Sequence, residues 1–159
     1  MSGGTRRLLR IAAGLAALGI LLAAYLTWVH FDASSLVCGL GDCHTVQASV
    51  YASVGPAPVA VLGLGMYGLV CAANLLALAR PSLLVPLSAV AFGALLAGTI
   101  YAAYLTWLEV AVIRAICQWC VASALLSLAL LVIQGIITWG ALGSPESGAD
   151  ETSGPAVAS

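Results

Sequence analysis

Residues 115–122 read Ala-Ile-Cys-Gln-Trp-Cys-Val-Ala. Cys117 and Cys120 stand three apart where a short link gives way to an apolar run. A Cys-x-x-Cys pair alone leaves three readings open: metal ligation, a structural staple or redox chemistry. Its surroundings decide the fold that carries it. The run that contains it, residues 116–139, is long enough to cross the hydrocarbon layer, which takes about 20 apolar residues. Three more runs of this kind precede it, at residues 11–29, 59–79 and 83–108. In lipid a chain must satisfy its own backbone polar groups, so each run is expected to be a helix. The expected fold class is all-α, a polytopic membrane four-helix bundle with an extracytoplasmic loop between helices 1 and 2.

Composition agrees. The 159 residues are 62% hydrophobic and 7% charged, against roughly 25% charged in a soluble domain. So few charges cannot coat a soluble surface. A net charge of -1 gives no case for a nucleic-acid partner. Between the runs lie a basic lead (residues 1–10), a loop with Gly, Ser, Asp and Pro (30–58), a tight turn (80–82) and a short link (109–115). Residues 141–159 are rich in Gly, Ser, Pro and acid and are expected to form a disordered cytoplasmic tail. Residues 1–140 are then the membrane domain. Gly14, Gly19, Gly63, Gly65, Gly68, Gly93 and Gly98 fall inside the runs, where small residues let helices approach closely.

Arginine placement orients the bundle. Arg6, Arg7 and Arg10 precede the first run, Arg80 lies between the second and third, and Arg114 is on the opposite side. The positive-inside rule makes the four-arginine side cytoplasmic. Both termini are then inside, and the 30–58 loop and the link before Cys117 are outside. The expected location is the cytoplasmic (inner) membrane, multi-pass, with the cysteine pairs facing out. Arg6-Arg7 before an apolar run also resembles a secretory signal, but no small-residue cleavage site follows.

An internal repeat points at the chemistry. Ala23-Ala24-Tyr25-Leu26-Thr27-Trp28 recurs as Ala102-Ala103-Tyr104-Leu105-Thr106-Trp107, an offset of 79 residues. Gly14, Gly19 and Cys38 map onto Gly93, Gly98 and Cys117 at the same offset. Trp28 and Trp107 suit the membrane–water boundary. Each half is thus a helix running outward, an aromatic boundary and a cysteine pair.

Cys38, Cys43, Cys117 and Cys120 are expected outside, where disulfides persist. Cys71 lies within the second run and reads as a small apolar side chain. Two structural staples are one reading of the outer four, in a non-enzymatic membrane scaffold. Metal binding is disfavoured because a Cys-x-x-Cys opening a membrane helix leaves little loop to close a tetrahedral cage. The redox reading rests on Cys117 at a helix start, where open N–H groups and Arg114 favour a thiolate. The alternatives for Arg114 are that it only snorkels or pairs with Glu109. A small transporter would need polar groups at mid-membrane; Asn74, Thr99 and Ser127 are few and uncharged. His30 and His44 carry no assigned role.

The chain resembles the bacterial vitamin K epoxide reductase family. The resemblance rests on Tyr25-Leu26-Thr27-Trp28 leading into the loop cysteines, on Cys43-His44-Thr45-Val46-Gln47-Ala48-Ser49, on Pro58, Gly63 and Tyr67 opening the second run, and on Tyr104-Leu105-Thr106-Trp107-Leu108-Glu109 leading to Cys117-Gln118-Trp119-Cys120. Loop pair first and Cys-x-x-Cys at the fourth helix also separates it from DsbB-type enzymes. The resemblance implies a bundle surrounding a quinone, ubiquinone or menaquinone, beside Cys120. It implies that Cys38 and Cys43 shuttle electrons from a thioredoxin-like (DsbA-like) protein to Cys117 and Cys120, and that Ser49 orders the loop near the quinone. The expected order has the partner attack Cys38, and Cys43 attack Cys117 as the more exposed of the helix pair, freeing Cys120 as a thiolate. A fused thioredoxin-like domain, common in the family, is not recognised, so the partner is expected to be a separate protein. Ala124 stands where the vertebrate enzymes have a tyrosine near the quinone, which puts vitamin K epoxide in doubt as the substrate and leaves its reduction as the alternative to the quinone reaction.

Overall fold

The computed structural model describes residues 2–32, 37–39 and 41–143. The expected tail lies outside them from residue 144 onward. Helix α1 runs Gly3–Phe31, α3 Val59–Ala79, α4 Leu84–Leu108 and α5 Gln118–Leu142. Each is long and apolar enough to span a membrane. The short helix α2, Cys43–Gln47, lies in the loop between α1 and α3.

The basic lead is helical rather than a separate segment, because Ser2 caps α1 by accepting the Thr5 N–H at 3.2 Å. With 29 residues, α1 reaches about 44 Å at 1.5 Å per residue. That exceeds the hydrocarbon thickness of about 30 Å. The excess lets exposed Arg6, Arg7 and Arg10 stand at the polar boundary.

The four long helices close a ring in which α1 packs on α3 and α5, and α4 on α3 and α5. Each turns one seam inward. On α1 the buried seam is Leu9, Ala12, Ala16, Gly19, Ala23 and Leu26. On α3 it includes Tyr67, Val70, Asn74 and Ala77, and on α5 Ser127, Leu130, Gln134 and Ile137. Alternating steps of three and four residues are the spacing of left-handed helix packing.

The sequence repeat has a packing counterpart. Gly19 lies against the ring of Tyr67, and its repeat mate Gly98 against the sulfur of neighbouring Met66. A Cβ at either glycine would overlap those side chains, so the two helices flanking α3 approach it through matched gaps. Gly14 and Gly93 are exposed, and among the described residues nothing lies within 4 Å of where a Cβ would stand. The Thr27 hydroxyl donates to the Ala23 carbonyl at 2.7 Å, and Thr106 to Ala102 at 2.9 Å. Trp28 and Trp107 both point outward.

The 30–58 loop holds more structure than its composition suggests. After α2 comes a 3-10 turn at Val50–Ala52, then strands β1 (Ser53–Val54) and β2 (Ala57–Pro58) in an antiparallel hairpin. The expected link at 109–115 is a π-helical turn, Glu109–Ile113, continuing α4.

Candidate functional site

Four cysteines gather at the loop end of the bundle. Cys38 and Cys43 are joined in a disulfide, with Cα atoms 5.9 Å apart. The start of α2 is fixed by Asp42, whose carboxylate accepts the Thr45 N–H at 3.1 Å and the Thr45 hydroxyl at 2.6 Å. Those two bonds, the hydroxyl first, hold the Asp42 carboxyl below its usual range. The cap turns Cys43 fully inward, while Cys38 stays half-buried at the rim.

Two ties pin this loop to the start of α5. Gly41 forms an antiparallel bridge with Cys117, and the Asp42 N–H donates to the Ile116 carbonyl at 3.0 Å. Gly41 has φ +82°, and a Cβ there would collide with the Ile116 oxygen, so the contact requires glycine. In the second tie, the Val37 N–H donates to the Tyr25 hydroxyl at 3.0 Å, and the Val37 carbonyl accepts the Trp119 indole N–H at 2.8 Å. The Tyr25 and Trp119 rings meet edge-on with centroids 5.2 Å apart.

The π turn aims an acid into the same place. Single π turns recur at functional sites. This one begins at Glu109 and ends at Arg114 in the left-handed region, φ 56°. Glu109 is 3% exposed. Its carboxylate accepts the Cys117 N–H at 3.0 Å and hydrogen-bonds the Cys120 thiol. Arg114 stays exposed, and the carboxylate turns to the cysteines rather than to it.

Cys117 and Cys120 are thiols in this structure. Cys117 caps α5 and is completely buried; Cys120, one turn on, is half-buried. The expectation that Cys117 is the more exposed of the two is therefore reversed, because the pinned loop covers it. Its thiol is lowered to about 7: the Cys120 thiol beside it is the main cause, and the N–H groups of Cys120 and Trp119 add to it. Burial and the Glu109 charge oppose the shift. The stabilised thiolate is thus Cys117 rather than Cys120, and Arg114 is not among its causes. Cys43, Val46 and Cys117 share one buried cluster with Leu26 and Val29, and Cys38 and Cys120 pack on its edge.

Cys120 opens onto a cavity of about 340 Å³ between the helices, at the small end of ligand-site volumes. Its walls are largely apolar, with Leu26, Met66 and Leu105 among them. Polar groups enter from Cys120, Glu109, Ser49 and Ser123. Ser49 donates its hydroxyl to the Val46 carbonyl at 2.7 Å, closing the α2 turn at the cavity edge. The Tyr67 hydroxyl bonds Ser123 across the bundle at 2.9 Å to its carbonyl and 3.0 Å to its hydroxyl. Cys71 packs in the other core cluster, its sulfur 3.7 Å from the Ala13 carbonyl oxygen. His44 is exposed on α2, and His30 meets Phe31 edge-on.

Sequence reasoning gave no site role to Glu109, Tyr67 or Trp119. Glu109 had a readable signal. It is the one acid between Asp42 and Glu146 and borders a spanning run, where ionisable residues are costly and usually functional. Chemically, the site holds two sulfur couples in adjacent backbone segments, one facing the loop rim and one facing an apolar cavity. That is an arrangement for thiol–disulfide exchange.

No curated protein matches the chain. A family model described as "Vitamin K epoxide reductase family" matches residues 10–134. The matched span contains all five cysteines, the loop that carries the disulfide and most of the bundle, and the chain belongs to the vitamin K epoxide reductase family of membrane disulfide oxidoreductases.

Proposed function

We propose that this protein reoxidises a thioredoxin-like (DsbA-like) protein outside the cytoplasm and passes the two electrons to a quinone. One observation carries the reading. The Cys38–Cys43 disulfide is bridged by backbone to Cys117, while Cys120 opens onto an apolar cavity. The catalytic set is Cys38, Cys43, Cys117 and Cys120.

Partner thiolate attacks Cys38, the sulfur nearer the rim, and Cys43 leaves. The partner's second thiol resolves the mixed disulfide and departs oxidised. Cys43 then attacks Cys117 of an oxidised Cys117–Cys120 pair, and Cys120 leaves. Adjacency within the buried cluster, rather than exposure, selects Cys117. Cys38 closes back on Cys43 and releases Cys117. The outcome is a loop disulfide and two helix thiols, the sulfur arrangement in this structure.

The residues present fit a quinone: apolar walls suit its ring and tail, and Cys120, Glu109, Ser49 and Ser123 supply polar groups. When bound, it supplies a two-electron acceptor of the ubiquinone or menaquinone class. Leu26, Met66 and Leu105 would hold it against Cys120, with Ser49 ordering the loop edge. Cys117, ionised near neutral pH, closes the Cys117–Cys120 bond as the electrons leave.

The test is purified protein with reduced partner and either quinone class. Quinol should form in step with partner disulfide. Alanine at Cys117 or Cys120 should abolish turnover, and Cys71→Ala should leave it near wild type. Absence of quinol with both classes would leave the cysteines as structural staples.

A further inference from the structure

Oxidising a dithiol to a disulfide releases two electrons and two protons, and reducing a quinone to a quinol takes up both. The four cysteines account for the electrons. They leave open which group handles the proton on Cys120, which lies against an apolar cavity where bulk water is a poor acceptor.

Glu109 is the buried carboxylate in hydrogen-bonding contact with that thiol. Its other observed bond, from the Cys117 N–H at 3.0 Å, fixes it to the start of α5. It also lines the cavity. The π turn is what brings the carboxylate there, by placing Glu109 at its first position where α4 would otherwise continue. Other titratable groups around the site are arranged differently. Cys117 is the second thiol of the pair; Tyr51, Tyr67 and Tyr101 line the cavity walls; Asp42, His44 and Arg114 are exposed.

We propose that Glu109 is the proton carrier of the quinone step, taking the proton from the Cys120 sulfur and passing it to a quinone oxygen at the cavity wall. As the S–H bond of Cys120 breaks, an O–H bond forms on Glu109. The Cys117 thiolate supplies the electron pair of the new Cys117–Cys120 bond, the pair freed on Cys120 leaves to the acceptor, and the Glu109 O–H proton goes with it. The quinol's second proton is drawn from water. It replaces the proton that Cys117 gives up on ionising, so charge and protons balance over the cycle. The proposal rests on the quinone reading above. It makes Glu109 a catalytic residue, in contact with a reacting sulfur.

A purely structural role would be as a cap on the Cys117 N–H, and Glu109→Gln separates the two. Glutamine keeps an acceptor for that N–H but cannot take a proton. The first readout uses reduced, quinone-free protein in a Cys71→Ala background. Alkylation of Cys120 by iodoacetamide is followed against pH and assigned to the residue by mass spectrometry. With a carboxylate base, reactivity at Cys120 rises in two steps, the first following the ionisation of Glu109. Glu109→Gln should leave the later step alone and reduce reactivity at pH 6 at least tenfold. Glu109→Asp should restore part of the early step. The second readout is quinol formation, expected to fall at least tenfold in Glu109→Gln. A single-step profile in the wild-type residue context, or an early step that survives in Glu109→Gln, overturns the proposal. Failure of the wild-type protein to form any quinol would instead sink the quinone reading, because the alkylation profile involves no quinone.

Discussion

Cys117 and Cys120 are one helical turn apart, yet their surroundings assign them different work. Cys117 is sealed beneath the loop and lowered to about 7, chiefly by its neighbour's thiol. Its alkylation, measured residue by residue, should therefore rise through about pH 7 and level off above it. Replacing Cys120 with Ala removes the main cause of the lowering. The midpoint at Cys117 should then move up toward the ordinary thiol value of about 8.5; an unmoved midpoint would assign the lowering to the helix N–H groups alone. Cys43 and Cys117 share a buried cluster, so Cys38→Ala should accumulate a Cys43–Cys117 disulfide. Non-reducing digestion and mass spectrometry would detect it, and recovery of Cys43–Cys120 in its place would reverse the order of attack. That Cys38, Cys43, Cys117 and Cys120 would gather at one end of the bundle was legible in the sequence. The burial of Cys117 was not, because it depends on Gly41, 76 residues earlier in the chain, lying across it.

The short elements did most of what the long helices could not. Helix α2 has five residues and a side-chain cap from Asp42. That is too short for helical periodicity to register, so its stretch reads as loop. Residues 109–115 read as a linker because Glu109 and Arg114 interrupt the apolar run. The chain instead widens into a π turn held by tertiary contacts. Gly41 is the hinge between these pieces. Alanine there faces a left-handed backbone, which costs about 1 kcal/mol, and a collision with the Ile116 oxygen. Gly41→Ala should slow electron transfer from the loop couple to the helix couple more than tenfold, read by stopped quench and thiol trapping. Helix content by circular dichroism should be unchanged, since no long helix touches the substituted atom. Transfer at the wild-type rate would mean that the bridge is incidental to the relay.

At the scale of the molecule, the bundle was legible almost entirely, because four apolar runs in lipid have few alternatives. The repeat was legible as a pattern, and its use was not. Gly19 and Gly98 serve as matched packing gaps for Tyr67 and Met66, whereas Gly14 and Gly93 face outward. The proposed orientation, with the cysteine pairs outside, rests on Arg6, Arg7, Arg10 and Arg80 gathering on one side. A membrane-impermeant maleimide applied to intact, reduced cells should label loop Cys38 readily. Cys43 and Cys117 should react far more slowly than Cys38 with this bulky reagent, because both are buried. Cys71, inside α3, should stay unlabelled. Labelling of Cys38 only after lysis would invert the topology.

The Trp119–Val37 contact has a spectroscopic consequence. Trp28, Trp107 and Trp139 are 67%, 59% and 83% exposed on helices that face lipid, whereas Trp119 is half-buried with its indole N–H engaged by the loop. Brominated lipid should therefore quench three of the four indoles and spare the fourth. The residual emission belongs to the one ring tied to residue 37, just before the Cys38–Cys43 bond. If reduction of that bond frees the Val37 carbonyl from the indole, the spared emission should shift to the red; an unshifted emission would show the tie independent of the disulfide. A shift would give the protein its own optical gauge of loop oxidation, without any added label.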